Sequence, residues 1–263
     1  HPHLDGRSSR RHLILLASLA GFLCLTFLEF DDSLQPIDPL STMPIRAILF
    51  DLDGTLIDQF AAIHRAFVRV LTQMGFPAPS FAKVKRSVGG ASESTMTKLI
   101  GPERAKEAVA ILRPIFEEEM FNGLVALPGS MEILEFCKNK GLKAAVLTNK
   151  YGPHARAACD HLNFSKHLAF TLGAEDTKWK KPDARITQHA LSELGTRPEE
   201  TLYVGDSTYD HQTAVNAGMK CLLVATGTHS ASDLRELACL SVDLSLSDMT
   251  ENTLPRLLGT GEN

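Results

Sequence analysis

The chain has 263 residues, 44% apolar and 22% charged, with a formal net charge of −4. That length exceeds one typical domain yet suits a single core carrying an insertion, and the mild acidity leaves no basic patch to argue for nucleic acid. Five scattered cysteines (Cys24, Cys137, Cys159, Cys221, Cys239) form no Cys-x-x-Cys pair and the histidines show no His-x-x-x-His spacing, so disulfides and thiolate or imidazole metal sites are not expected, and a reducing, cytoplasmic setting is the simpler reading.

In chain order, residues 1–42 read as an extension outside the fold. Arg10 and Arg11 precede an apolar run over 13–28, which Glu29, Asp31 and Asp32 then break. As a helix that run spans about 24 Å, short of the roughly 30 Å hydrocarbon core of a bilayer. Its layout resembles the basic and apolar regions of a signal peptide, yet no clear small-x-small cleavage site follows. A short membrane anchor is a second reading, and no membrane contact is expected otherwise. Met43-Pro44-Ile45-Arg46 enters the first strand directly, as a native start would, and the chain lacks an initial Met. An upstream extension or a misassigned start is therefore favoured over export.

An apolar strand over 45–50 ends abruptly in Asp51-Leu52-Asp53-Gly54-Thr55-Leu56. Successive side chains of a strand point to opposite faces unless the backbone turns. Gly54 permits that turn, so Asp51 and Asp53 can converge. Two convergent carboxylates suit a hard divalent cation, and one can attack phosphorus while the other handles protons. The plain alternative is a pair of capping or loop aspartates.

Between Asp58 and Val125 helical periodicity runs without a convincing strand, at 61–74, 92–100 and 103–121. Ile63, Phe67, Val70 and Leu71, for example, fit one helix face. Within this interval Gly89 and Gly90 would allow close approach to a small ligand, although an ordinary turn between helices fits equally well.

Further strands are expected at 143–147, 168–172, 201–204 and 220–225, alternating with helices at 131–140, 153–162, 184–194 and 210–217. Such alternation implies a parallel sheet in an α/β layout, whose ligands bind beyond the strands' carboxyl ends. Asp51, Thr148 and Asp206 all lie at such ends. The expected organisation is a core over 43–58 and 126–248, a helical cap over 59–125 and a C-terminal tail over 249–263.

Four segments carry residues suited to phosphoryl transfer: Asp51-Leu52-Asp53-Gly54-Thr55-Leu56, the strand ending in Thr148-Asn149-Lys150, Trp179-Lys180-Lys181-Pro182-Asp183, and Val204-Gly205-Asp206-Ser207-Thr208-Tyr209-Asp210. Each is weak alone, since a Thr after a strand is usually a helix cap and Gly-Asp a common turn. In this order, and after strand-like runs, they resemble the four motifs of the haloacid dehalogenase-like hydrolase superfamily over about residues 43–248.

That resemblance implies a Rossmann-like parallel sheet core with an inserted α-helical cap, and an enzyme working through an aspartyl-phosphate. It makes Asp51 the nucleophile and Asp53 the general acid and base. Thr148, Lys181 and the amides after Asp51 would steady the phosphoryl oxygens. Magnesium would be held by Asp51, the backbone carbonyl of Asp53 and Asp206, with Asp210 in support. Thr148, Asn149, Lys181, Gly89 and Gly90 would bind a small phosphorylated metabolite. Ala184 stands where the family often has a second proline, which loosens the match in that loop. Leu127-Pro128-Gly129 and Leu147-Thr148-Asn149-Lys150 look most like the phosphoglycolate phosphatase group. A β-phosphoglucomutase-like phosphomutase shares the whole set. A non-catalytic binding module would normally have lost one of Asp51, Asp53, Lys181 or Asp206, and all are present.

Overall fold

The structure is a computed structural model and describes residues 44–259. The extension read over 1–42, with its apolar run, lies outside the described residues. The first strand, β1 (Ala47–Phe50), leads into a two-residue β2 (Ile57–Asp58) and four helices, α1 (Phe60–Gln73), α2 (Phe81–Ser87), α3 (Ser92–Ile100) and α4 (Ala105–Glu119). A second short strand, β3 (Val125–Ala126), returns the chain to α5 (Ser130–Asn139), β4 (Lys143–Tyr151), α6 (Gly152–His161), β5 (Thr171–Ala174) and α7 (Ala184–Leu194). There follow β6 (Thr201–Gly205), α8 (Thr208–Ala217), β7 (Lys220–Val224), α9 (Ala231–Arg235), β8 (Ser241–Asp243), α10 (Leu246–Asp248) and α11 (Leu254–Leu257).

Six strands form one parallel sheet in the order β5-β4-β1-β6-β7-β8. All four residues of β1 are fully buried, because helices cover both faces and no position is left for a polar side chain. The two-residue period of the strands then divides the apolar side chains between two cores. Ile48, Phe50, Val146, Leu202 and Leu222 pack on one face, with α5 and α6. Ala47, Leu49, Leu147, Tyr203 and Leu223 pack on the other, with α7 and α8. From β1 the chain builds outward on one side to β4 and β5, then on the other to β6, β7 and β8. The order reverses at β1, and in open α/β sheets that reversal opens the ligand crevice at the carboxyl ends.

The helices α1 to α4 form an inserted unit with its own core, which includes Phe60, Ile63, Phe67, Val70, Met96, Leu112 and Phe116. The chain leaves and re-enters the sheet domain side by side: Ile57 and Asp58 of β2 pair antiparallel with Ala126 and Val125 of β3. Leu127 N donates to Leu56 O at 3.0 Å and Ser130 Oγ to the same carbonyl at 2.7 Å, tying this two-stranded hinge to the start of α5.

Several details depart from the sequence reading. The strand expected at 168–172 forms at Thr171–Ala174, after Ala169 N has already paired with Ala144 O at 2.7 Å. Residues read as the start of a tail are structured: a π-helical turn (Met249–Thr253) and α11 bury Met249 and Leu254 completely in the first core. Among the described residues no helix is long and apolar enough to cross a membrane.

Candidate active site

Asp51 follows β1 directly and Asp206 follows β6, so the two carboxylates stand on neighbouring strand ends at the reversal point. Asp210 comes from the first turn of α8, where Ser207 and Asp210 close a capping box. One carboxylate oxygen from each of the three lies within 4.8 Å of the others. Lys181 reaches into this group from the loop before α7. Its Nζ donates to Asp51 Oδ1 at 2.8 Å, to Asp210 Oδ1 at 2.7 Å and to the Tyr203 hydroxyl at 2.9 Å. Tyr203 in turn donates to the carbonyl of Leu147 at 2.9 Å. All three N–H groups of the ammonium are thus engaged.

Electrostatics set the resting state. Burial pushes the Asp51 carboxyl up to about 6 from its ordinary 3.8, against the pull of the Lys181 ammonium and with a further push from Asp210. Burial also drives Asp206 well above the usual carboxylate range, and repulsion from Asp210 and Asp51 adds to it, while the Thr228 amide and hydroxyl resist. Burial alone would lower Lys181, but Asp210 and Asp51 outweigh it and hold the ammonium charged. Three buried carboxylates therefore face one buried ammonium. That imbalance, with an all-oxygen donor set at one point, fits a hard divalent cation such as magnesium. Asp51, Asp206 and the Asp53 carbonyl would hold it. Asp210 is already engaged, since its Oδ2 accepts from Asp206 N at 3.1 Å, Ser207 N at 3.0 Å and Ser207 Oγ at 2.5 Å. It orients Lys181 and the Asp206 loop.

Gly54 makes the convergence feasible. It sits at φ +87°, and a Cβ there would meet Gly227 Cα at 2.8 Å and Asp206 Cγ at 2.9 Å. Backbone alone can pass so close to the cluster.

Asp53 stands apart from the three clustered carboxylates. Its two oxygens accept from Lys150 Nζ at 3.2 and 3.0 Å, so its side chain is turned to Lys150. Thr148 closes the other wall at the end of β4, and its hydroxyl accepts from Lys150 N at 3.2 Å. Asn149, expected to bind substrate, is otherwise engaged. Its Oδ1 accepts from Lys181 N at 3.0 Å, and its Nδ2 donates to Lys181 O and to Gly89 O, both at 3.1 Å. It locks the Lys181 backbone to β4 and fastens a cap loop to the sheet domain. Gly89, at φ +117°, brings that loop against Tyr209, where a Cβ would lie 3.1 Å from the ring. Asp51, Asp53, Thr148, Gly89, Gly90 and Phe116 line one cavity of about 110 Å3 between sheet and cap.

Residues 48–224 match the haloacid dehalogenase-like hydrolase family. The chain belongs to that family. The phosphoglycolate phosphatase of Aquifex aeolicus (strain VF5) is 32% identical over 183 residues, covering 70% of this chain and 86% of that one. A Dickeya dadantii (strain 3937) protein named "Probable phosphatase IndB" is 30% identical over 195 residues, covering 72% and 84%. In three dimensions the chain resembles a haloacid dehalogenase-like hydrolase from Bacteroides fragilis with a TM-score of 0.74 at 24% identity, over 78% of this chain and 99% of that one. That last likeness speaks for the fold.

For this hydrolase the motif residues meet at one place, apart from Gly89 and Gly90, which reach it from the cap. Sequence reasoning missed several supporting groups. Lys150 lay within a quoted motif but carried no role until its pairing with Asp53 was visible. Tyr203 reads as an ordinary strand residue, yet its hydroxyl seats Lys181. Thr228 gives no local signal at all, although its amide and hydroxyl hold Asp206 Oδ2 at 2.7 and 2.9 Å.

Proposed function

We propose that this chain is a magnesium-dependent phosphatase that hydrolyses a small phosphate monoester, phosphoglycolate or a close analogue, through an aspartyl-phosphate on Asp51. The observation that carries the reading is the Lys181 ammonium held between Asp51 and Asp210 at 2.8 and 2.7 Å, with Asp206 beside it at the sheet's reversal point. Phosphoryl transfer needs such positioning and charge neutralisation more than any other covalent help.

An oxygen of Asp51 forms a bond to phosphorus while the ester P–O bond breaks. Asp53 gives a proton to the departing alkoxide, then takes one from the water that attacks the aspartyl-phosphate and releases Asp51 and inorganic phosphate. Lys181 keeps Asp51 aimed and places its positive charge beside the phosphoryl group, and the Thr148 hydroxyl offers a donor to the phosphoryl oxygens. Bound magnesium would add positive charge on the same oxygens. The cap sets the buried ring of Phe116 in the cavity wall, which makes that side of the site apolar.

A small substrate fits the space. A cavity of about 110 Å3 beside Asp51 and Asp53 accommodates a compact phosphate ester. Relatives named phosphoglycolate phosphatase support the same choice. Initial rates against a panel of phosphate esters test it. Phosphoglycolate is expected to be turned over with magnesium, to lose at least about 100-fold in excess chelator, and to recover on adding magnesium back. Undiminished turnover in chelator overturns the metal requirement. Conversion of a hexose 1-phosphate to its 6-phosphate, primed by a trace of hexose bisphosphate and releasing negligible phosphate, would establish a mutase instead.

A further inference from the structure

Lys150 is the last lysine of β4 and one of the most deeply placed cations of the cavity. Its side chain is only 6% exposed and that of its partner Asp53 only 11%. Two of its three N–H groups point to the two oxygens of Asp53, at 3.2 and 3.0 Å. On the cap side the ammonium lies 4.8 Å from the ring centre of Phe116 in α4. A ring face attracts a cation but is no full acceptor, so the third N–H has no polar partner among the described contacts. A buried donor in that position favours a ligand that can accept from it.

Two further cations, Arg113 and Lys180, line the same cavity. The Arg113 guanidinium pairs with Glu175 and lies over Tyr151 at 4.4 Å, and Lys180 forms no ion pair with Asp53 among the described residues. Lys150 is the cation of this wall that touches Asp53.

We propose that Lys150 recognises a second negative group on the leaving side of the substrate, offering its unfilled N–H to that group. The proposal rests on the phosphatase reading above and narrows it. Asp53 serves the ester oxygen and Lys150 touches the same carboxylate, so the second anion must lie one or two carbons from that oxygen. A carboxylate attached to the ester carbon meets the requirement, as in 2-phosphoglycolate. On binding, the substrate carboxylate accepts from Lys150 Nζ. An uncharged substituent at the same position leaves that buried donor without an acceptor.

The test compares 2-phosphoglycolate with ethyl phosphate, which keeps the two-carbon skeleton and lacks the carboxylate. The wild-type enzyme is expected to favour 2-phosphoglycolate in kcat/KM. In Lys150→Met, which keeps length and removes charge, that preference ratio should fall by about 30-fold or more, with KM rising for the charged substrate. Lys150→Arg should retain part of the ratio. Equal losses on both esters in Lys150→Met would reduce Lys150 to a support for Asp53 and overturn the proposal. Should that variant fail to fold, the wild type still decides: no preference for the charged ester overturns the proposal while leaving the phosphatase reading intact. Turnover of neither ester overturns both.

Discussion

Lys181 contacts two carboxylates and a phenol in a place with almost no water. Buried ion groups of this kind are poor sources of stability, because desolvation offsets most of their attraction. Their value here is orientation, and neighbouring backbone has to make room for them. Gly54 is the sharpest case. At φ +87°, with Gly227 Cα 2.8 Å from where a Cβ would sit, Gly54→Ala combines left-handed strain with a collision beside Asp206. The expected cost is about 2 kcal/mol, or roughly 4–8 °C in Tm, together with weakened magnesium binding. Thermal melting and a magnesium titration of the variant check both effects. Wild-type stability and affinity would show that the turn tolerates a side chain.

At the scale of elements, β4 is the strand that links chemistry to the cap. Its last residues place Thr148 at the cavity wall, Asn149 on the backbone of Lys181 and Lys150 on Asp53, while Asn149 Nδ2 also holds Gly89 O at 3.1 Å. Moving the cap loop should therefore be felt at Lys181. Gly89→Ala places a Cβ 3.1 Å from the Tyr209 ring at a φ of +117°, which should push the loop outward and raise KM by about tenfold, with a stability loss of about 1–3 kcal/mol. Steady-state kinetics and melting report on it, and an unchanged KM would mean that the loop does not shape the bound state. Five of the six strands of the sheet and the long helices are legible in sequence because burial on both faces gives unbroken apolar runs, as in β1, and one-sided burial gives a helical period, as in α1, whereas the three half-buried residues of β8 carry no such run. Residues 81–87 escaped notice because seven residues with one fully buried side chain, Val84, carry too little period. The two-residue hinge strands carry none. At the site, residue types and their order were enough to locate Asp51, Lys181, Asp206 and Asp210. The engagement of Asn149 and the pairing of Lys150 arise from contacts between distant segments, which no local pattern encodes.

For the molecule as a whole, the two halves of the sheet meet at β1 and concentrate negative charge at one buried point, so stability, pH and metal are linked. Asp51 titrates at about 6 in the folded chain against an ordinary 3.8, and Asp206 is also raised. A raised carboxyl contributes stability that is present below its unfolded value and lost as pH climbs through the folded one. Without metal, this site should therefore weaken the fold increasingly from about pH 4 to above pH 6. A cation requires the ionised carboxylates, so the Tm gain from magnesium over chelator should be small at pH 5 and several degrees larger at pH 7.5. Melting curves in both conditions decide this, and an equal or larger gain at pH 5 would contradict it. The proposed chemistry depends on Asp51 being the group that attacks phosphorus. The direct measurement is to quench the enzyme in acid while it turns over a phosphoglycolate carrying radiolabelled phosphate, and to map the label by peptide. An acyl-phosphate on Asp51 is expected in the wild type, with no label or turnover in Asp51→Asn. Steady turnover with Asp51 never labelled would contradict it and assign the attack to water.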